Sequence, residues 1–289
     1  MQPGFGFAVP EHCTLAEESA VDQFTLHASS RLVEAKWLAS RLRPFGSGVA
    51  SVVPDGFPAY SRILHPARGM NDRQIRWEDV AVKSGSTMHR LVQFHAINRP
   101  PGAVSEGAVV PPERGNLPSN LLRVLCAVLA EHTSTPDSCW FCLWDGYGWL
   151  HDSGASTVEF RPTGTLGEPA STLSGATDSA ALSPILRAAV PSTPRVHLPY
   201  RDYLLFEGPL EAATDIGWNM PGGGFVPQSP NLFWPDDHAW CVASAIDLFC
   251  TLVAGSNSLA ENLIADPRLE VWRVLADDPE SAHSDDKNI

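Results

Sequence analysis

No dense run of lysine or arginine occurs in the 289 residues. Only 20 basic side chains stand against 33 acidic ones, a formal net charge of −13. Nucleic-acid binding needs clustered cations to displace phosphate counterions. The scarcity of cations therefore argues against nucleic acid, and suits a basic partner or a cation better. Solubility alone also accounts for the charge. Long apolar runs are missing too. The most apolar stretch, LLRVLCAVLA at 121–130, contains Arg123 and is far short of the roughly 20 residues a membrane span requires. The start, MQPGFGFAVPEHC, has neither the positive n-region nor the apolar h-region of a secretory signal. These features predict a cytoplasmic protein with no membrane partner.

Cysteine is sparse. Five of the six, Cys126, Cys139, Cys142, Cys241 and Cys250, fall in apolar surroundings, and Cys13 lies in an N-terminal loop by pattern. That usage fits small core residues in a reducing compartment rather than a disulfide framework. Cys139-Trp-Phe-Cys142 has metal-like spacing, but the chain holds no second CxxC to complete a tetrahedral site. The pair sits in a strand pattern, not at a helix N-terminus where the dipole would activate a thiol. A phosphate-binding GxxxxGK[ST] loop, a GxSxG elbow and a HExxH helix are all absent. No metal and no cofactor is expected.

What is present is a globular composition, with 44% hydrophobic residues and many turns implied by 25 prolines and 22 glycines. The apolar spacing of residues 30–43 predicts an amphipathic helix ended by Pro44. Residues 48–53 and 57–64 read as extended segments around a Pro54-Asp55-Gly56 turn. Short and long helices follow at 77–82 and 118–132, the second capped by Asn116 or Ser119. Residues 139–150, 203–206, 239–246, 248–254 and 269–275 contain strands, with a helix at 257–265. Residues 151–194 are poor in aromatics and read as a flexible insert, with one or two helical turns at 182–190. The tail from 277 to 289 is acidic and predicts disorder. Consecutive strands with short links predict one α+β domain over residues 1–289. Its mainly antiparallel sheet lies in the C-terminal half, packed against a few helices on one face.

Four residues are candidates for chemistry. Asp236, Asp237 and His238 follow Trp234-Pro235 in FWPDDHAW. Adjacent carboxylates beside an imidazole suit a general base or a cation, and suit equally a turn whose aspartates accept backbone donors. His65, at a strand end, is either a base or a hydrogen-bond partner of a tight turn. Asp247 reads as a hairpin residue. Five aromatics are candidates for recognition: Trp144, Tyr147 and Trp149 in the corner WDGYGW, with Tyr203 and Trp234. Exposed together they would form a ligand or partner platform; buried, they are core.

The blocks VVPDGFPAYSRILHPA, CWFCLWDGYG, LPYRDYLLFEGPL and SPNLFWPDDHAWCVASAIDLFCTLVAGS resemble those of an uncharacterised family of actinobacterial hypothetical proteins. The resemblance runs from about residue 45 to residue 274, with 151–194 as a variable insert. It implies that Tyr60, His65, Trp144, Tyr203, Trp234, Pro235, Asp237 and Trp240 belong to recurring blocks, and it carries no activity. The chain departs from it at Ala245 and His238, where an acidic residue and an arginine are expected.

Three functional expectations follow. The first is a non-enzymatic recognition protein, binding a partner protein or small ligand through the aromatic and acidic surface, with an immunity or antitoxin role as one version. The second is a hydrolase with Asp236, Asp237, His238 and His65 converging in a cleft, which requires His65 and Asp237 within hydrogen-bond reach, or one water apart, in a concave pocket. The third is a purely structural protein.

Overall fold

The computed structural model describes residues 26–69, 71–98, 109–151, 181–199, 201–220, 224–281 and 283–288. Cys13, the N-terminal loop and residues 152–180 of the insert lie outside the described residues. The strands, in chain order, are β1 (His27–Ala28), β2 (Ala59–Leu64), β3 (Ala67–Arg68), β4 (Gln74–Ile75), β5 (Cys139–Trp144), β6 (Ala181–Leu182) and β7 (Val196–Leu198). They continue as β8 (Arg201–Gly208), β9 (Gly217–Asn219), β10 (Phe225–Pro227), β11 (Leu232–Pro235), β12 (Cys241–Ala243), β13 (Cys250–Gly255) and β14 (Val271–Val274). The helices are α1 (Lys36–Arg41), α2 (Trp77–Ser84), α3 (Phe94–Ile97), α4 (Ser119–Ala130), α5 (Pro184–Ser192) and α6 (Asn257–Ala265).

Among the described residues, nine strands form one antiparallel sheet in the order β1-β8-β5-β11-β12-β13-β2-β14, with β7 also on β8. The fold is α+β, and most of the sheet comes from the C-terminal half. The exceptions are β1, β5 and β2, the last of which inserts between β13 and β14.

Helices cover both faces of the sheet, not one. Trp140, Cys142, Leu205, Trp234, Leu252 and Ala254 pack on one side with Leu38 of α1, Trp77 of α2 and Phe94 of α3. Phe141, Leu143, Leu204, Phe206, Phe233 and Val253 pack on the other with Leu125 of α4, Leu186 of α5 and Leu259 of α6. Successive strand residues point to opposite faces. A strand covered on both sides must therefore be apolar at every position, and CWFCLW of β5 and CTLVAG of β13 are almost that. The same alternation separates Cys139 from Cys142, which sit in different layers. Burial raises the thiol pKa of both, and pushes Cys126 and Cys250 up to about 12, so none of these cysteines is a ready thiolate.

Three segments depart from the sequence pattern. Residues 48–53 are not a strand: a 3₁₀ turn spans Val49–Ser51. The amides of Val49 and Ala50 donate not to a sheet but to the carbonyls of Asp278 and Ala276. At Gly48, φ is +107°, and a Cβ there would meet the Asp278 carbonyl oxygen at 2.8 Å, so only glycine lets the two segments meet. The described part of the insert holds ordered structure, since Leu186 and Ala189 of α5 are buried. Ser183 caps this helix by accepting from the Leu186 amide.

The acidic tail is not disordered where it is described. Asp278, Ser284, Asp285 and Asn288 are buried. Asp277 pairs with Arg43, Asp278 with Arg90, Glu280 with Arg62 and Asp285 with His89. Charge density predicts disorder only when the charges repel one another in water; here each finds a basic partner far away in sequence. The expected caps of α4 are also absent. Pro118 occupies the N-cap position, and the Asn116 side chain instead accepts from Ser229 N–H at 2.8 Å and donates to the Pro227 carbonyl. Among the described residues, no helix is long and apolar enough to cross a membrane.

Candidate functional site

The Pro-Asp-Asp-His turn joins β11 to β12. His238 adopts a left-handed φ of +53°, and its amide donates to the Pro235 carbonyl. The Asp237 carboxylate accepts from the Thr133 hydroxyl at 2.8 Å, from the Ser134 amide and hydroxyl at 2.7 and 2.8 Å, and from the Ala239 amide at 3.0 Å. Burial acts to raise its pKa, but these donors outweigh it and hold the carboxyl below its ordinary range. Asp236 accepts from the Trp140 indole at 3.1 Å. The His238 ring stacks on Trp37 with centroids 4.5 Å apart, and burial lowers its pKa. The turn reading accounts for these three residues: the carboxylates tie the hairpin to the loop after α4 and to β5.

His65 is fully buried. Its Nδ1 lies 2.8 Å from the Glu113 carbonyl, so Nδ1 carries the proton. Nε2 is then the acceptor for the Thr251 hydroxyl at 2.8 Å, and Thr251 in turn lies 2.7 Å from the Ser244 hydroxyl. Burial, with the nearby Arg62 charge, lowers the His65 pKa to about 4 against the opposing bond to Glu113. A hydroxyl beside an imidazole has the outline of an activated nucleophile. Here both hydroxyls are sealed with the ring, Ser244 at 1% and Thr251 at 0% exposure.

The structure does not bring His65 and Asp237 together. Residue 65 follows the Leu64–Cys250 pair, whereas residue 237 lies beyond the level of Cys241, Ala254 and Tyr60. Four residues separate those levels along β2, about 13 Å at the usual rise per residue. The aromatic candidates also divide. Trp234 is wholly interior, edge-on to Trp37, and cannot serve a surface. The aromatic corner and the acidic turn stand at opposite ends of β5, since Trp144 N–H binds Asn231 while Ser138 C=O binds Asp236 N–H. Among the described residues, no group of three His, Cys, Asp or Glu side chains is placed to hold a metal ion.

The Trp144 end of the sheet carries a cleft of about 320 Å³. Leu42, Val52, Leu198, Leu232, Ala243 and Leu248 supply apolar walls, with Ala245 beside them. Arg201 and Tyr203 alternate on β8 so that both face it. The Tyr203 hydroxyl is pushed up to about 12 by burial and stays a donor across the ordinary pH range. Arg201 pairs with Asp247 on the β12–β13 turn. Asn231, also lining the cleft, donates to the Tyr147 hydroxyl at 3.0 Å and accepts from Trp144 N–H at 2.8 Å. Tyr147 in turn stacks on Trp149 and meets Trp144 edge to face. The half-buried aromatic corner thus buttresses the cleft through Asn231 rather than forming an exposed platform. Arg201, Asn231, Asp247 as a cleft residue, and Glu280 were not legible as a site: they come from four segments that only the sheet order brings together.

Comparison of the chain with known protein families, with characterised proteins and with solved structures finds no match.

Proposed function

We propose that this is a non-enzymatic recognition protein of the cytoplasm that binds a small, apolar-bodied ligand in the cleft beside Tyr203. The observation that carries this reading is the cleft itself. It is concave and mostly apolar, with polar groups such as Arg201, Tyr203, Asn231, Asp247 and Glu280 among its lining, and its volume falls within the roughly 300–1,000 Å³ of small-molecule sites. The half-buried aromatic corner packs behind Asn231 and holds it by hydrogen bonds. The protein-partner version, including an immunity or antitoxin role, calls for an exposed aromatic patch, and the burial of Trp234 and Tyr203 weighs against it. The hydrolase reading is weakened by the distance between His65 and the acidic turn. A purely structural role leaves the cleft without a purpose.

The test uses N-phenyl-1-naphthylamine, an uncharged fluorophore that brightens in apolar sites. The folded protein is expected to bind it saturably. Ala245→Trp, which fills the cleft from its wall, is expected to abolish that signal while the circular dichroism spectrum is unchanged. No saturable signal with folded wild type, or equal binding by the variant, rejects the reading.

A further inference from the structure

Glu280 lines the cleft, yet its side chain is only 3% exposed. A buried carboxylate normally collects several short charge-assisted hydrogen bonds, because leaving its lone pairs unserved is costly. Two largely buried carboxylates show this. Glu270 accepts from the amides of Trp77 and Glu78 at 2.8 and 2.9 Å. Asp285 takes the His89 ring at 2.8 Å and the amides of Gln93 and Asn288.

Glu280 differs. Its Oε1 meets Arg62 Nη2 at 3.6 Å, outside normal hydrogen-bond length, and the weak Cys250 thiol donor at 3.6 Å. Among the described residues, no N–H or O–H reaches its second oxygen at hydrogen-bond distance. Arg62 is itself shared, donating Nη1 to the carbonyls of Arg90 and Val92. The carboxylate is thus neutralised at a distance and left short of close donors, on a residue that lines the cleft.

We infer that the cleft takes a small amphiphile whose head is an ammonium group, with the Glu280 carboxylate as its anchor and the apolar walls holding its body. This rests on the ligand-binding reading above and adds the chemistry of the head. An ammonium brings three donors on a compact charge. The net charge of −13 draws cations toward the surface. Arg201, the cation of the opposite wall on β8, is already committed to Asp247. Glu280 and its Arg62 and Cys250 neighbours belong to the β2–β13 side.

The test compares three probes with one body and different heads: 2-phenylethylamine, 2-phenylethanol and 3-phenylpropanoate. Each competes with N-phenyl-1-naphthylamine on the full-length protein. The amine is expected to displace the fluorophore at a concentration about tenfold lower than the alcohol, as one buried charge-assisted bond implies, with the carboxylate weakest. Glu280→Gln is expected to treat amine and alcohol alike, each competition being read against that variant's own affinity for the fluorophore. If that variant fails to fold, the wild-type series alone decides. Equal competition by all three, preference for the carboxylate, or no displacement of a bound fluorophore overturns the ammonium anchor and leaves the ligand-binding reading standing. A fluorophore that never binds overturns both.

Discussion

Arg62 and Glu280 are 218 positions apart in sequence and form an ion pair with both side chains almost sealed from water, at 2% and 3% exposure. Arg62 sits in the middle of β2, where the sheet's apolar face would otherwise be continuous. Its guanidinium lies over the Trp77 ring, 5.7 Å from the centroid. The pair fastens the C-terminal segment to the sheet and closes one wall of the cleft.

Removing one partner of such a pair leaves the other as a buried, uncompensated charge. Glu280→Ala is therefore expected to destabilise the protein by about 3–5 kcal/mol, read as a lower urea midpoint. The double variant Arg62→Met/Glu280→Leu removes both charges and is expected to be more stable than Glu280→Ala alone. A double variant as unstable as the sum of the two single changes would show that the pair is not the unit that matters.

The pH response should separate two groups of residues. The His65 pKa is lowered to about 4 in the folded protein, against about 6.5 in an unfolded chain. Above pH 6.5 the ring is neutral in both states and costs nothing. Between 6.5 and 4 the unfolded chain binds a proton that the folded protein refuses, so stability falls as pH falls. Below 4 this loss is complete, at about 3 kcal/mol. The lowered carboxyls of Asp55, Asp237 and Asp266 act in a different window, losing their contribution only below the ordinary aspartate value of 3.8. His65→Gln is expected to be less stable at pH 7.5 but flatter between pH 6.5 and 4 than wild type. Urea melts at half-unit pH steps check this, and parallel wild-type and variant curves would discard it.

Most helices and the sheet strands β2, β5, β8, β12, β13 and β14 were legible because their evidence is local, whereas β1, β7 and β11 were not read. The short apolar run and β-branched content of 250–255 and the Ser256 cap before 257–265 sit within single short windows. CWFCLW was legible as a buried strand, but the helices were expected on one face of the sheet and not on both. What could not be read was anything set by distant pairing. The tail reads as solvated charge until Arg43, Arg62, His89 and Arg90 are placed opposite it. The 3₁₀ turn at 49–51 depends on the same tail for its hydrogen bonds. Tyr203 was found by its aromatic content, whereas Glu280 carried no signal. The Asp-Asp-His turn misled in the other direction: its residues look chemical in sequence and are spent on hydrogen bonds and stacking in the fold.

Three buried tryptophans offer a controlled comparison. The Trp240 indole donates to the Leu129 carbonyl at 3.1 Å, and the Trp140 indole donates to Asp236 at 3.1 Å. The Trp234 indole N–H is equally buried and, among the described residues, has no acceptor. Replacing tryptophan by phenylalanine removes a similar amount of ring in each case. At Trp140 and Trp240 it also breaks a hydrogen bond and strands the acceptor, a further cost of about 1–3 kcal/mol. At Trp234 it removes a donor that was never satisfied, which offsets part of the packing loss. Trp234→Phe is therefore expected to be the mildest of the three by at least about 1 kcal/mol in chemical denaturation. The contrast with Trp240→Phe is the cleaner one, because Leu129 is a fully buried residue in the last turn of α4 whereas Asp236 can turn to water. If Trp234→Phe proves as costly as Trp240→Phe, the indole N–H of Trp234 has a partner in solution, and the interior beneath the acidic turn is wetter than the packing of Trp37 and Trp234 implies.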